Sequence, residues 1–162
     1  MTATEILSLL KQKHAPYQMQ SGHSDWFFIP ELRMGTGFLG SDSRMDAFAM
    51  QQTPSKAHTR IGYEIKISRS DFMRDIAKPD KHRQARMFVN EFWFVAPQGI
   101  IPKEKLPIWA GLLEVVTTKN DGTPLEKPQL VVTVRAAFVE SEPPTWNFIA
   151  ALIRRAVRDG AG

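Results

Sequence analysis

The 162-residue chain has the length of one ordinary domain, and its 43% apolar and 23% charged residues predict a globular fold. The absence of cysteine excludes disulfides and cysteine-ligated zinc and is typical of a reducing compartment. No signal-peptide pattern and no apolar run near the roughly 20 residues that span a bilayer are present, so we expect one cytoplasmic domain over residues 1–162 that does not enter a membrane.

The first segment has the pattern of an amphipathic helix over residues 2–13. Thr2 and Glu5 have the spacing of a capping box. The next segment, DWFFIPEL at 25–32, is typical of a strand, but Pro30 cannot donate a ladder hydrogen bond. We therefore expect this strand at a sheet edge or at a bend.

A glycine-rich segment, GTGFLG at 35–40, matches the G-x-G-x-x-G dinucleotide-binding pattern letter for letter. That pattern binds a pyrophosphate only where its glycines open a helix. A polar turn and a strand follow here. We therefore interpret the segment as a glycine loop between two antiparallel strands and not as a nucleotide site.

The rest of the chain alternates strand and helix patterns. A helix begins near Ser70, its candidate N-cap, and Pro79 either ends it or restarts a second turn. A turn-rich loop at 117–128 precedes the last strand, and a closing helix spans about 144–159. The predicted strands are 44–50, 60–67, 91–96 (apolar enough to be central), 110–116 and 130–138. The closing helix has one face formed by Trp146, Ile149, Ile153 and Ala156. This order predicts an α/β or α+β fold in which helices flank a central sheet.

The strand at 60–67 carries two opposite charges inside an apolar pattern. Side chains two residues apart on a strand point to the same face, so Glu64 and Lys66 share one face. Asp46, on the preceding strand, comes beside Glu64 if the two strands are neighbours. Two carboxylates are what Mg2+ takes from a protein, and an ammonium can orient a water or neutralise charge on a phosphate. The alternative is a solvent-facing ion pair without a chemical role.

Positive charge is concentrated around this pair. The whole chain has a net charge of +4, whereas residues 56–86 alone contain nine basic and four acidic residues, a net charge of +5. Such a concentration predicts an anionic partner, with phosphate as the first candidate. The alternative is a solvated helix face.

Asp46, followed eighteen residues later by EIK at 64–66, resembles the signature of the PD-(D/E)xK nuclease superfamily. The longer pattern RMDAFAM…YEIKISRSDFMRDIAKPDKHR…FWFVAPQGIIP…LPIWAGLLEV is similar to the MmcB-related family of small DNA-repair nucleases, over roughly residues 31–116. Two departures are visible. Met45 stands where the motif's name has proline, and Pro79 stands where the family has tryptophan.

The resemblance implies a restriction-endonuclease-like α/β fold with a mixed central sheet, and a metal-dependent DNA endonuclease acting in DNA repair or processing. It implies that Asp46, Glu64 and the carbonyl of Ile65 bind Mg2+ or Mn2+. Lys66 would be the catalytic lysine. Glu31 would be an additional metal ligand or water-holding acid, with an ordinary strand-end carboxylate as the alternative.

The segment after the motif is expected to support the site and hold the DNA. Ser68 would steady the site, Asp71 is a first-turn acid favoured by the helix dipole, and Asp75 is interpreted as a surface acid. The residues expected to contact DNA phosphates are Arg69, Lys78, Lys81, His82, Arg83 and Arg86. A homodimer would suit cleavage of both strands.

Two other functions remain open at the level of sequence. One is a DNA-binding repair module without turnover, and the other is a structural domain in which Glu64 and Lys66 form a simple salt bridge. The nuclease requires the carboxylates of Asp46 and Glu64 to lie within reach of one cation, with Lys66 pointing the same way. It fails if Asp46 points to the apolar side of the sheet.

Overall fold

The structure, a computed structural model that describes residues 1–15, 25–34 and 43–160, is built around one six-stranded mixed sheet. The helices are α1 (Ala3–Lys13), α2 (Arg69–Ile76), α3 (Arg83–Met87) and α4 (Trp146–Gly160). The strands are β1 (Trp26–Arg33), β2 (Arg44–Gln51), β3 (Arg60–Ile65), β4 (Glu91–Pro97), β5 (Ala110–Thr118) and β6 (Pro124–Val134). The predicted α/β architecture, a mixed sheet flanked by helices, is confirmed.

The strands lie in the sheet in the order in which they occur along the chain. β1, β2 and β3 form an antiparallel meander, β3, β4 and β5 run parallel, and β6 returns antiparallel to β5. A parallel neighbour requires a crossover connection, and α2 and α3 form part of the connection between β3 and β4. As expected, 91–96 falls in a central strand.

Apolar side chains fill both faces of the sheet. On one face, Phe72 of α2 and Phe148 of α4 pack with Phe94 of β4. On the other face, Leu10 of α1 packs in a second cluster with Tyr63 of β3. Because helices cover both faces, β4 is buried along nearly its whole length, which explains its continuous apolar sequence.

The first two elements form for the reasons that their sequences indicate. The hydroxyl of Thr2 accepts a hydrogen bond from the Glu5 amide, and the Glu5 carboxylate accepts one from the Thr2 amide, which completes the capping box. Pro30 lies in β1, an edge strand of the sheet. Both predictions are confirmed.

Other predictions need correction. Ser68, not Ser70, caps α2, because its hydroxyl accepts the hydrogen bond of the Asp71 amide. Pro79 lies between two separate helices. The turn-rich loop is shorter than predicted, since β6 begins at Pro124. The segment GTGFLG lies outside the described residues.

The closing helix forms as predicted, but its predicted common face is not the face that packs against the sheet. Phe148 and Ala151 are the buried residues of α4, whereas Trp146 and Ile153 are exposed. Among the described residues, no helix is both long enough and apolar enough to cross a bilayer.

Candidate active site at the carboxyl end of strand β3

The charges of Glu64 on β3 and of Lys66, one residue past the end of β3, lie on one face of the sheet, as predicted. Tyr63 and Ile65 belong to the core beneath α1, while Glu64 and Lys66 extend toward α2. Successive side chains alternate between the two faces because a strand is pleated. Glu64 pairs with Phe94 of β4, whose side chain packs with Phe72 of α2 on the same face.

Lys66 forms the centre of a buried charged cluster. Its Nζ is 2.9 Å from Oε1 of Glu64 and 2.9 Å from Oδ2 of Asp75, and 3.8 Å from Oδ2 of Asp71. Only 4% of its side chain is exposed. A solvent-facing salt bridge is therefore excluded for Glu64 and Lys66, because both groups are removed from water.

Asp75 is the second anchor of this cluster and not the surface acid that the sequence suggested. Its side chain is 5% exposed. Oδ2 also lies 2.8 Å from Nε2 of His82, and Oδ1 pairs with the ammonium of Lys81. The spacing carried a signal for this placement: Asp75 follows the buried Phe72 by three residues, so both lie on the inner face of α2.

His82 is likewise not a phosphate contact, which corrects the prediction. Its side chain is 4% exposed, and its ring packs near Phe92, Phe94 and Trp109, with centroids 5.2 to 6.2 Å apart. The short α2–α3 connection turns the chain back after Pro79 and brings His82 beside Asp75. Sequence reasoning missed this pair because the turn, and not a regular spacing, determines it.

Asp46 lies at the point where β2 and β3 separate. The ladder between these strands ends at the pair of Ala47 and Tyr63, and beyond it Oδ2 of Asp46 accepts the amide hydrogen of Ile65 at 2.7 Å. Burial and the nearby Glu64 charge raise the pKa of Asp46 to about 6, from its ordinary value of 3.8. The Glu64 charge therefore acts on the Asp46 carboxylate, and a cation shared by the two carboxylates stays a prediction.

The cluster fixes the charge state of its members. Burial alone would lower the pKa of Lys66, but the charge of Glu64 and the hydrogen bonds that Lys66 donates to Glu64 and Asp75 outweigh it and raise that pKa. Burial would raise the pKa of Asp75, but hydrogen bonds from His82, Lys81 and Lys66 outweigh it and hold that pKa low. Lys66 therefore stays an ammonium and Asp75 a carboxylate across the neutral range.

Three side chains have the arrangement of a cation site. Ligand atoms of Glu64, Asp75 and His82 all lie within 4.8 Å of one another, and the three residues are buried. Carboxylate oxygens and an imidazole nitrogen are suitable donors for a divalent ion. Two ammonium groups already compensate these carboxylates, so an ion fits only if one of the two leaves. The amide of Ile65 donates a hydrogen bond to Asp46. The carbonyl oxygen of Ile65 stays a predicted metal ligand.

Glu31 lies on β1 beside Asp46 of β2, because the residues on either side of them pair, Pro30 with Ala47 and Leu32 with Met45. Its backbone has a φ of 51°, and its carboxylate, 68% exposed, is 3.9 Å from Nη2 of Arg155 on α4. The contact shown for Glu31 is thus an ion pair with Arg155, and its role as a metal ligand or water-holding acid stays a prediction. Ser68 acts as the α2 cap, and Asp71 is a first-turn acid, as expected, that also reaches Arg74 at 3.3 Å.

The expected phosphate contacts divide into two groups. Arg69, Lys78, Lys81 and Arg83 are exposed on the rim of the cluster and can meet an anion. Arg86 is half-buried instead, with its guanidinium carbon 4.1 Å from the centre of the Trp109 ring. Its guanidinium thus contacts an aromatic face, and its contact with a DNA phosphate stays a prediction.

No family model matches the chain, and no curated protein or solved structure matches it either. The resemblance to the PD-(D/E)xK nucleases therefore rests on the motif residues of the sequence alone.

Proposed function

We propose that the chain is a metal-dependent DNA endonuclease with a restriction-endonuclease-like fold, acting in DNA repair or processing. The observation that carries the proposal is the buried pair of Glu64 and Lys66, with the half-buried Asp46 nearby, at the place where β2 and β3 separate. Burying a lysine between carboxylates costs free energy, because the charged groups lose their hydration. Such a buried charged group beside exposed basic residues favours a chemical role.

Glu64, Lys66 and the exposed basic residues each have a role in phosphodiester hydrolysis. A divalent ion, when bound, polarises the phosphodiester and lowers the pKa of a water molecule. Glu64 supplies the oxygen ligands that such an ion requires. Lys66, held as an ammonium, stabilises the negative charge that develops on the phosphate. The exposed bases of α2 and of the following connection hold the DNA backbone, so binding is salt-dependent and weakly selective for sequence.

The first test is cleavage of a panel of single-stranded, nicked, flapped, branched and mismatched DNAs with Mg2+, Mn2+ or a chelator. We expect Glu64→Gln and Lys66→Met to lower the cleavage rate by about 100-fold or more while DNA binding is kept. Glu126→Gln and Lys127→Met, exposed on β6, are matched controls that should cleave like the wild type. Circular dichroism establishes that each variant is folded.

The second candidate function is a DNA-binding repair module without turnover. The observation that favours it is the charge balance of the cluster, in which Lys66 and Lys81 already compensate Glu64 and Asp75 without a metal. Salt-dependent DNA binding with no cleavage under any metal condition would establish this function in place of the nuclease. If the protein neither binds nor cleaves DNA, the cluster is a structural element only.

A further inference from the structure

Lys81 differs from Lys66 in how it is held. It lies in the connection between α2 and α3, and its ammonium reaches into the cluster, where it pairs with Oδ1 of Asp75 and lies 3.5 Å from Oε1 of Glu64. Its side chain is 41% exposed, against 4% for Lys66. Lys81 can therefore move into water without unfolding the core, whereas Lys66 cannot.

The Lys81 ammonium contacts the same groups that a divalent ion would need. Glu64 and Asp75 are two members of the only trio of donors, completed by His82, that lies within 4.8 Å among the described residues. Like charges repel strongly where water is excluded, so a divalent ion and two ammonium groups cannot share two carboxylates. Lys81 is the group that is free to leave.

We propose that Glu64, Asp75 and His82 form the cation site of this protein, and that Lys81 is a tethered competitor that fills this site until a divalent ion displaces it. The proposal rests on the proposed nuclease function and specifies its metal ligands. Mixed oxygen and nitrogen donors suit Mn2+ better than Mg2+, which takes oxygen ligands almost alone. The ion thus binds on the Asp75 side of Glu64 and not between Glu64 and Asp46.

Titration with Mn2+ in the absence of DNA tests the competition directly. Free Mn2+ is followed by electron paramagnetic resonance for the wild type, Lys81→Met and the matched control Lys78→Met, which removes an exposed lysine of the same connection. We expect Lys81→Met to tighten Mn2+ binding by at least about tenfold and Lys78→Met to leave it unchanged. Lys81→Gln serves as a second neutral variant if Lys81→Met does not fold.

The ligands are assigned in the Lys81→Met background. We expect His82→Gln to weaken Mn2+ binding by about tenfold or more and Asp46→Asn to change it by less than about threefold. The reverse result would place the ion between Asp46 and Glu64 and overturn this inference, while the nuclease function stands. Equal Mn2+ affinity of the wild type and Lys81→Met would overturn the competition. Absence of Mn2+ binding in both proteins, together with no cleavage, would overturn the proposed function as well.

Discussion

Lys66 is the residue on which the charge balance of the cluster depends most, because its ammonium contacts both Glu64 and Asp75 at 2.9 Å. Removing one partner of a buried pair leaves the other charge unsolvated. We therefore expect Lys66→Met to lower the free energy of unfolding by about 3 kcal/mol, measured by urea denaturation.

A matched exposed pair provides the control for that prediction. Arg74 contacts Asp71 at 3.3 Å across one turn of α2, but its side chain is largely in water. Arg74→Met should lower the free energy of unfolding by less than about 0.5 kcal/mol. Equal losses for the two variants would mean that the Lys66 cluster is solvated and not a buried group.

The sequence predicted half of this cluster. Glu64 and Lys66 follow from a strand period of two, which is local and needs no tertiary information. Asp75 and His82 are joined by a turn whose direction depends on how α2 packs on β4. No regular spacing encodes that direction, so an acid on an otherwise polar helix was interpreted as exposed.

At the scale of elements, the close approach of β5 to its neighbours depends on Gly111. A Cβ at this position would overlap the ring of Trp93 on β4 and lie 2.7 Å from the backbone nitrogen of Ala136. Neither a packed indole nor a backbone atom can move away at low cost. We expect Gly111→Ala to lower the free energy of unfolding by about 2 kcal/mol, measured by urea denaturation.

Gly62 on β3 is the comparison for that variant. A Cβ there would lie 2.7 Å from Sδ of Met45, near the end of a flexible side chain, and 3.1 Å from the ring of Phe92. Gly62→Ala should therefore be the milder change. A loss for Gly62→Ala as large as that for Gly111→Ala would show that side-chain flexibility does not decide the cost at these close approaches.

The elements that the sequence predicted well are those with a local cause. The capping box begins α1, and Pro30 indicates an edge strand because it lacks an amide donor. Two predictions failed. The sequence did not indicate that β6 begins at Pro124, because pairing with β5 determines that start. The predicted packing face of α4 was wrong, because contact with β1 determines which face is buried. Such long-range contacts override a local pattern of turn residues or apolar spacing.

At the scale of the whole molecule, His14 links α1 to the central sheet. Its Nε2 is hydrogen-bonded to the hydroxyl of Tyr63 on β3 at 2.8 Å, and its ring lies 4.6 Å from that of Trp26. Burial, with a smaller contribution from the charge of Lys13, lowers the pKa of His14 to about 4, from its ordinary value of 6.5. The folded chain thus binds this proton less readily than the unfolded chain does.

This difference makes the stability of the fold depend on pH. Between pH 6.5 and 4 the unfolded chain takes up a proton at His14 that the folded chain does not, so the free energy of unfolding falls as the pH is lowered through this window. We expect the loss from His14 alone to be about 2 kcal/mol between pH 6.5 and 4.5, measured by urea denaturation at each pH.

His14→Gln isolates that contribution, because glutamine can still bond to Tyr63 but does not titrate. Asp46 and Asp75 also titrate, in opposite senses: the raised pKa of Asp46 favours the folded state as the pH falls, whereas the lowered pKa of Asp75 disfavours it. Both act equally in the two proteins and cancel in the difference between them. The wild type should therefore lose about 2 kcal/mol more than His14→Gln over this range. Parallel stability curves for the two proteins would mean that His14 is protonated as easily in the fold as in the open chain, and that α1 does not seal this side of the sheet from water.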